Sequence, residues 1–240
     1  EYALELKTAG LSTVFLQFDG LTDEVYITLR GRALLREKLA AIENCAAAGL
    51  GIVLVPVIAP GVNDGQLGGI LRFAAEHMPD VRGVHFQPIS YFGRCGLERP
   101  EKPITIPRML RLIEAQTNGV MRAQDFAGGG AENPYCSTSD DSRKFVARQW
   151  NGEEAPDYSA EAELCETSAL DEFIEQARRN TLAVSGMIFQ DAYNLDLERL
   201  RRCYICEVDA EFGMVPFCAY NLTDACGRAL YRRCREQGLM

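Results

Sequence analysis

The chain has 240 residues, of which 47% are hydrophobic and 25% charged, and this is enough apolar side chain to bury a sizeable core. No apolar run approaches the roughly 18 residues that a membrane span needs, and residues 1–20 lack the pattern of a secretory signal. The net charge of −9 argues against a broad nucleic-acid-binding surface. The composition therefore predicts a globular cytoplasmic protein that neither spans a membrane nor binds nucleic acid.

Strands and long helices alternate along the first part of the chain. A helical pattern ends at Gly10, and the expected strands and helices follow in order: strand 13–20, helix 33–49, strand 51–58, helix 64–79 and strand 83–90. This alternation predicts right-handed parallel crossovers, as in a barrel or a doubly wound sheet. Three strands are too few to close a barrel, so we expect further strands to precede residue 1.

Polar residues collect where these strands end. They are Gln17, Asp19, Asn63, Asp64, Gln87 and Ser90. In parallel α/β folds the carboxyl ends of the strands carry the active site. Asp64 and Ser90 could equally cap a following helix. Gln17 and Gln87 lie within apolar strands, where an unpaired amide is costly, so a functional interpretation is stronger for them.

After residue 90 the chain becomes richer in glycine, proline and charge. A loop leads to an expected helix over about 107–116, and a second loop, 123–142, contains Cys136. A capping pattern at Ser168 predicts another helix, and the chain ends in a basic helical segment.

The nine cysteines are many for a reducing compartment, where disulfides are rare, so metal ligation is the leading interpretation for those that cluster. Cys203 and Cys206 form a C-x-x-C pair, and Cys218 follows twelve residues later. Such spacing is typical of zinc and iron-sulfur ligands. Cys136 could supply a fourth ligand from its glycine-rich loop. Buried free thiols are the alternative.

Several long segments together resemble one enzyme group. They are VFLQFDGL, IENCAAAGLGIVLVPVIAPGVND, GVHFQPISYFGR, EAQTNGV, SGMIFQDAYNLDLERLRRC and GMVPFCAYNLTDACGRALYRR. They resemble the radical SAM enzymes of the tetraether lipid synthase group, which is similar to the methanogen pterin methylases and more distantly to the molybdenum-cofactor enzyme. The resemblance runs from about residue 5 to the C-terminus.

The resemblance implies a fold and a set of ligands. It implies an α/β chain in which residues 1–122 are the C-terminal part of a partial (β/α) TIM-like barrel and residues 123–240 form a cysteine-containing auxiliary-metal domain. By resemblance, Gln17, Asp19, Asn63 and Gln87 lie where such barrels meet the ribose, methionyl and adenine parts of S-adenosylmethionine. Cys136, Cys203 and Cys218 match the auxiliary cysteine positions, and Cys206 is carried over with them as a ligand of a 4Fe-4S cluster or, alternatively, of zinc.

The resemblance also implies the chemistry of the intact enzyme. That chemistry is 5′-deoxyadenosyl radical formation, followed by carbon-carbon bond formation or methylation at an unactivated carbon of a small molecule or a lipid, with an electron donor as partner. The group's C-x-x-x-C-x-x-C cluster loop does not occur in these 240 residues. We therefore expect the chain to be part of a longer protein and to be inactive alone. The rival hypothesis is a non-catalytic zinc- or iron-binding structural or interaction module.

Overall fold

The computed structural model describes residues 1–91, 95, 97, 99–127, 137–140, 181–223 and 228–231, with the backbone alone for 137–140. The helices are α1 Tyr2–Thr8, α2 Asp23–Arg30, α3 Leu35–Ala47, α4 Leu67–Glu76, α5 Ile106–Gln116, α6 Leu197–Arg201 and α7 Phe217–Tyr220. The strands are β1 Thr13–Gln17, β2 Gly51–Val55, β3 Val57–Ile58, β4 Val81–Pro88, β5 Phe126–Ala127, β6 Ser137–Asp140, β7 Ala183–Met187, β8 Cys206–Asp209 and β9 Gly213–Pro216.

The main sheet is largely parallel. Its strands follow the order β1-β2-β4-β7-β6-β5, and β3 pairs with the end of β4. The pairs β1–β2, β2–β4, β3–β4 and β4–β7 are all parallel. The predicted α/β class and parallel strands are therefore confirmed, and the arrangement is consistent with part of a TIM-like barrel. Within the described residues the sheet does not close on itself.

The sheet continues beyond residue 122. Strand β7 adds a further parallel strand beside β4, and β6 and β5 then extend the sheet with antiparallel pairing. These strands come from the part of the chain that the resemblance assigns to the auxiliary domain. The division into 1–122 and 123–240 thus stays a prediction, since one sheet takes strands from both sides of the boundary.

The two faces of the parallel sheet differ in burial. On one face Ile52, Leu54 and Phe86 are completely buried, and on the other face Val53, Val55 and Gln87 are only partly covered. Side chains alternate between the two faces of a strand, so this pattern has the period of two that a half-covered sheet requires. In the described part of the chain, the main core therefore lies on one face of the parallel sheet.

The covered face builds the main core. Its buried residues from the sheet and from helices α3, α4 and α5 include Ile42, Leu50, Ile52, Leu54, Leu67, Ile70, Val84, Phe86, Met109 and Ile113. Helices α4 and α5 approach each other closely at Gly68, where an added Cβ would lie 2.5 Å from the backbone oxygen of Gln116. A glycine is therefore required at the point where these helices meet.

The predicted elements differ from the observed ones in their details. The expected strand 51–58 is divided at Pro56, which has no N–H to donate, into β2 and β3. Asp64 caps no helix; its carboxylate accepts the Gly61 N–H at 2.9 Å and closes the turn before α4. Among the described residues Ser90 caps no helix either; its hydroxyl donates to the Phe189 carbonyl at 2.9 Å. The helix expected near Ser168 lies outside the described residues.

A small second core lies near the C-terminus. The antiparallel hairpin β8–β9 and helices α6 and α7 bury Leu200, Val215, Cys218 and Ala219, with Phe189 packed against them. Because Phe189 follows β7, this small core adjoins the end of the main sheet. Among the described residues, no helix is both long and apolar enough to cross a membrane.

Candidate functional site

The four residues that the resemblance assigns to cofactor binding meet at one edge of the sheet. Gln17 ends β1, Asp19 follows two residues later, and Gln87 pairs with Val57 between β4 and β3. Asn63 lies in the turn after β3 and reaches back to Asp19. The structure thus brings together residues that are up to 70 positions apart in the sequence, as the common direction of parallel strands requires.

Asp19 is the charged centre of this edge. Its carboxylate is completely buried and accepts two hydrogen bonds from Arg30, at 2.8 Å from Nε and 3.1 Å from Nη2. It also accepts the Val57 N–H at 3.0 Å and a hydrogen bond from the Gln17 side chain. A buried carboxylate is tolerated only when it is paired and hydrogen-bonded, and this one is.

The position of Arg30 is set by the C-terminal end of helix α2. It is the last residue of the helix, and Gly31 follows in the left-handed conformation at φ +80°, a common helix terminator. An arginine in the last turn also interacts favourably with the helix dipole. Arg30 was not among the residues predicted from the sequence, because no local pattern shows that its guanidinium meets a carboxylate eleven residues earlier.

Asn63 holds the chain together at this edge. Its amide nitrogen donates to the carbonyls of Asp19 and Val57, both at 2.7 Å, and its side-chain oxygen accepts the Ala59 N–H at 2.8 Å. Both ends of the amide are thus engaged by the backbone. These contacts favour a structural role for Asn63, while its assignment to cofactor binding stays a prediction.

Burial shifts the pKa of two groups around Asp19. Burial lowers the pKa of Lys38, whose amine donates to the Gln17 side chain at 3.2 Å, although the nearby Asp19 carboxylate acts in the opposite direction. Burial raises the pKa of Tyr26 to about 12, and its hydroxyl donates to the Gly20 carbonyl at 3.0 Å. Tyr26 is therefore a neutral donor that fixes the turn after Asp19.

A cavity of about 470 Å³ opens beside this network. It is lined by Thr28, Leu29, Arg30, Val57, Gln87, Pro88, Ile89, Ser90, Cys95, Leu97 and Phe189. These residues come from the end of α2, from β3, from the carboxyl end of β4 and the segment that follows it, and from the segment after β7. The volume lies within the range of about 300–1,000 Å³ that is usual for small-molecule sites.

The lining of the cavity suits a polar, partly aromatic ligand. Arg30 uses two of its five N–H groups on Asp19, so its fixed guanidinium keeps donors for a carboxylate. Gln87 and Ser90 add an amide and a hydroxyl, and Pro88, Ile89 and Phe189 add apolar wall. This donor set fits the methionyl carboxylate, ribose and purine of S-adenosylmethionine in kind.

The candidate metal ligands do not form a site in the part of the chain that the structure describes. There, no group of three or more Cys, His, Asp or Glu side chains lies close enough together to hold a metal ion. The Cys203 thiol donates to the Ile205 carbonyl at 3.6 Å, and the Cys206 thiol to the Cys203 carbonyl at 3.7 Å. Cys136 lies outside the described residues. The described thiols alone therefore do not fit an auxiliary cluster.

Cys218 differs from the other two described candidates. It is buried in the small core, and its sulfur accepts the Gln190 N–H at 3.2 Å. Gln190 follows Phe189, which lines the cavity, so the small core and the cavity wall are connected through two neighbouring residues. The thiol thus contributes to structure here, whatever else it binds.

The fold is that of an α/β protein, consistent with a partial (β/α) barrel, and its cavity lies at the carboxyl ends of parallel strands, where such folds bind ligands. No family model matches the chain. It is 30% identical to the 7,8-dihydro-6-hydroxymethylpterin dimethyltransferase of Methanocaldococcus jannaschii, in an alignment that covers 92% of this chain and 58% of that protein.

Shorter matches are to GTP 3′,8-cyclases. The enzyme from Paenarthrobacter nicotinovorans is 34% identical over 86 residues, covering 35% of this chain and 24% of the relative. A probable GTP 3′,8-cyclase from Aeropyrum pernix is 29% identical over 104 residues, covering 43% of this chain and 29% of the relative. The matches confirm the predicted resemblance to the radical SAM enzymes, and the chain spans less than two thirds of each relative's length.

Proposed function

We propose that the chain is the part of a radical SAM enzyme that binds the cofactor. The enzyme methylates an unactivated carbon or forms a carbon-carbon bond there. The observation that carries this proposal is the cavity at the strand ends, with Arg30 fixed by the buried Asp19 and with Gln87 in its wall. The similarity to the pterin dimethyltransferase over 92% of this chain supports it.

The chain's own residues would bind and orient the cofactor. Arg30 would hold the methionyl carboxylate, while Gln87 and Ser90 would hydrogen-bond the ribose or the purine edge. S-adenosylmethionine, reduced at an iron-sulfur cluster by an external electron donor, supplies the radical chemistry when bound. The apolar wall around Phe189 would exclude water from the ligand. We infer that the chain by itself does not turn over substrate, because the cluster loop of this enzyme group is not among its residues.

The first prediction concerns binding of S-adenosylmethionine, measured by equilibrium dialysis. We expect saturable binding to the protein and an increase of roughly tenfold in the dissociation constant for Gln87→Ala, since one or two hydrogen bonds are lost. The matched control is Gln124→Ala, an exposed glutamine outside the cavity, which should bind as the unchanged protein does. Equal affinity in Gln87→Ala and the unchanged protein would place the ligand elsewhere, and absence of saturable binding would reject the proposal.

The second prediction concerns metal content after anaerobic preparation. If Cys136, Cys203, Cys206 and Cys218 hold an auxiliary 4Fe-4S cluster, we expect about four irons per chain and absorbance near 400 nm. Both should be lost in Cys203→Ser or Cys218→Ser and kept in Cys45→Ser, which alters a buried helix thiol. Stoichiometric zinc lost in the same variants would favour the structural module instead. Protein without metal would reject both kinds of site.

A further inference from the structure

A lysine outside the cavity lining takes part in the hydrogen bonding around Asp19. Lys38 lies near the start of α3 and is only partly exposed. Its amine donates to the side-chain oxygen of Gln17 at 3.2 Å, and the side-chain nitrogen of Gln17 donates to the Asp19 carboxylate. Arg30 donates to the same carboxylate and lines the cavity. We call Lys38, Gln17, Asp19 and Arg30 the side-chain network.

The two neighbours of Gln17 fix the direction of its amide. A charged lysine only donates hydrogen bonds, and a carboxylate only accepts them. Gln17 therefore points its oxygen to Lys38 and its nitrogen to Asp19. Without Lys38 only one end of the amide would be held, and the side chain would be free to turn away from the buried carboxylate.

The corner between α2 and α3 brings Lys38 to this place. Asp23, in the first turn of α2, accepts the N–H groups of Leu34 and Leu35 at 3.0 and 2.9 Å, where α3 begins. The Lys38 N–H then donates to the Leu34 carbonyl at 3.0 Å. The end of α2 and the start of α3 are thus held together, and they supply the network with one cation each, Arg30 and Lys38.

The surroundings of Lys38 oppose its charge. Burial lowers the pKa of Lys38, Asp19 acts in the opposite direction, and Arg30 and Arg32 lower the pKa further. Ordering a lysine side chain also costs conformational entropy. Because the amine contacts Gln17 and does not line the cavity, any influence of this charge on a bound ligand passes through the network.

We propose that Lys38 is a positioning residue of the cofactor site: acting through Gln17 and Asp19, it holds the Arg30 guanidinium in the orientation that binds the methionyl carboxylate. This inference rests on the proposed function, to which it adds a residue that does not touch the ligand. A binding residue is held accurately when a second layer of side chains fixes it. Groups that are fixed before the ligand arrives also lose less entropy on binding.

The test is a double-variant cycle on binding of S-adenosylmethionine, measured by equilibrium dialysis. Lys38→Met keeps the apolar stem without the amine and should raise the dissociation constant about threefold to tenfold. Gln17→Leu should raise it at least as much. Adding Lys38→Met to Gln17→Leu should change it by less than about twofold further, because the contact through which the lysine acts is already lost. Lys38→Arg keeps a charged donor and should restore most of the affinity.

Lys7→Met is the matched control. Lys7 is an exposed lysine on α1 whose amine also makes a hydrogen bond, to the Gly49 carbonyl at 2.8 Å, so its replacement changes the net charge equally. This variant should bind S-adenosylmethionine as the unchanged protein does. NMR spectra give a second measurement without ligand. The side-chain amide signals of Gln17, assigned by their loss in Gln17→Leu, should shift in Lys38→Met and stay in place in Lys7→Met.

The other outcomes overturn the inference in separable ways. If Lys38→Met weakens binding by the same factor with and without Gln17→Leu, the lysine acts on the ligand without Gln17. If binding depends on Gln87 but is unchanged by Lys38→Met, the inference fails while the proposed function stands. Weaker binding that Lys38→Arg does not restore, with unmoved Gln17 signals, would indicate general damage to the fold instead of positioning. Absence of saturable binding to the unchanged protein would reject the proposed function together with the inference.

Discussion

Replacing Arg30 by alanine is expected to lower the free energy of unfolding by about 2–4 kcal/mol, because the completely buried Asp19 carboxylate would lose its counter-charge. The estimate lies at the lower end of what breaking a buried ion pair costs, since the Arg30 side chain is 34% exposed and water can partly replace it. Urea-induced unfolding, followed by circular dichroism, measures the change.

Arg32→Ala is the matched control for this variant. Arg32 lies two residues further along and pairs with Glu37 at 3.8 Å, but both side chains are at least half exposed. Its replacement should cost less than about 0.5 kcal/mol. If Arg30→Ala and Arg32→Ala were equally stable, the ion pair to Asp19 would contribute nothing measurable.

A double variant distinguishes two causes of the stability that Arg30→Ala loses. One is the lost attraction between the charges, and the other is the unpaired charge that stays buried. Asp19→Asn removes the charge but keeps an oxygen that can accept the Val57 N–H. Combined with Arg30→Ala, it should restore part of the lost stability, because the buried site no longer contains an uncompensated charge. A double variant less stable than the sum of both single changes would contradict this account.

Asn63→Ala is expected to destabilise the protein by a similar amount, about 2–4 kcal/mol, because three backbone groups in buried or partly buried positions lose their side-chain partner. Asn63→Asp should be at least as harmful, since it keeps the acceptor for Ala59 but places a carboxylate oxygen against the two carbonyls of Asp19 and Val57. Thermal unfolding of both variants tests the prediction.

The control for Asn63 is Asn44→Ala. Asn44 is exposed on α3, where its side chain donates to the Ala40 carbonyl at 2.7 Å, and its removal should cost less than about 0.5 kcal/mol. The same variants decide between the two roles of Asn63. An Asn63→Ala protein of normal stability that no longer binds S-adenosylmethionine would show a ligand-binding residue and would contradict the structural role.

The auxiliary-metal hypothesis depends on Cys136, which lies outside the described residues, and on Cys203, Cys206 and Cys218, which lie within them. The thiols of Cys203 and Cys206 donate to carbonyls of their own turn. The sulfur of Cys218 accepts an N–H from the segment that lines the cavity. Because Gln190 connects Cys218 to Phe189, the Cys218→Ser variant is best measured for both metal and ligand. If this variant loses its metal but still binds S-adenosylmethionine, the small core and the cavity function independently.

The amino-acid pattern alone predicted the alternation of strands and helices, the parallel pairing and the edge of the sheet at which the polar residues of the candidate site collect. It could do so because hydrophobic periodicity is local, and because parallel strands separated by crossovers must all end at the same edge. The polar residues at the strand ends were accordingly expected at one edge, and the resemblance pointed to four of them, Gln17, Asp19, Asn63 and Gln87. The resemblance added the enzyme group, which the similarity to the pterin dimethyltransferase confirms.

The contacts of those residues became visible only in the folded chain. The pairing of Arg30 with Asp19, the engagement of Asn63 by three backbone groups and the hydrogen bond from Lys38 to Gln17 each join positions that no local pattern connects. Strand β7 likewise gave no clear signal, because its five residues include alanine and glycine, which are depleted in strands. Its place beside β4 is fixed by pairing across about 100 residues. Contacts of this kind depend on how the sheet and the helices pack. A charge or an amide without a partner becomes costly only when packing buries it.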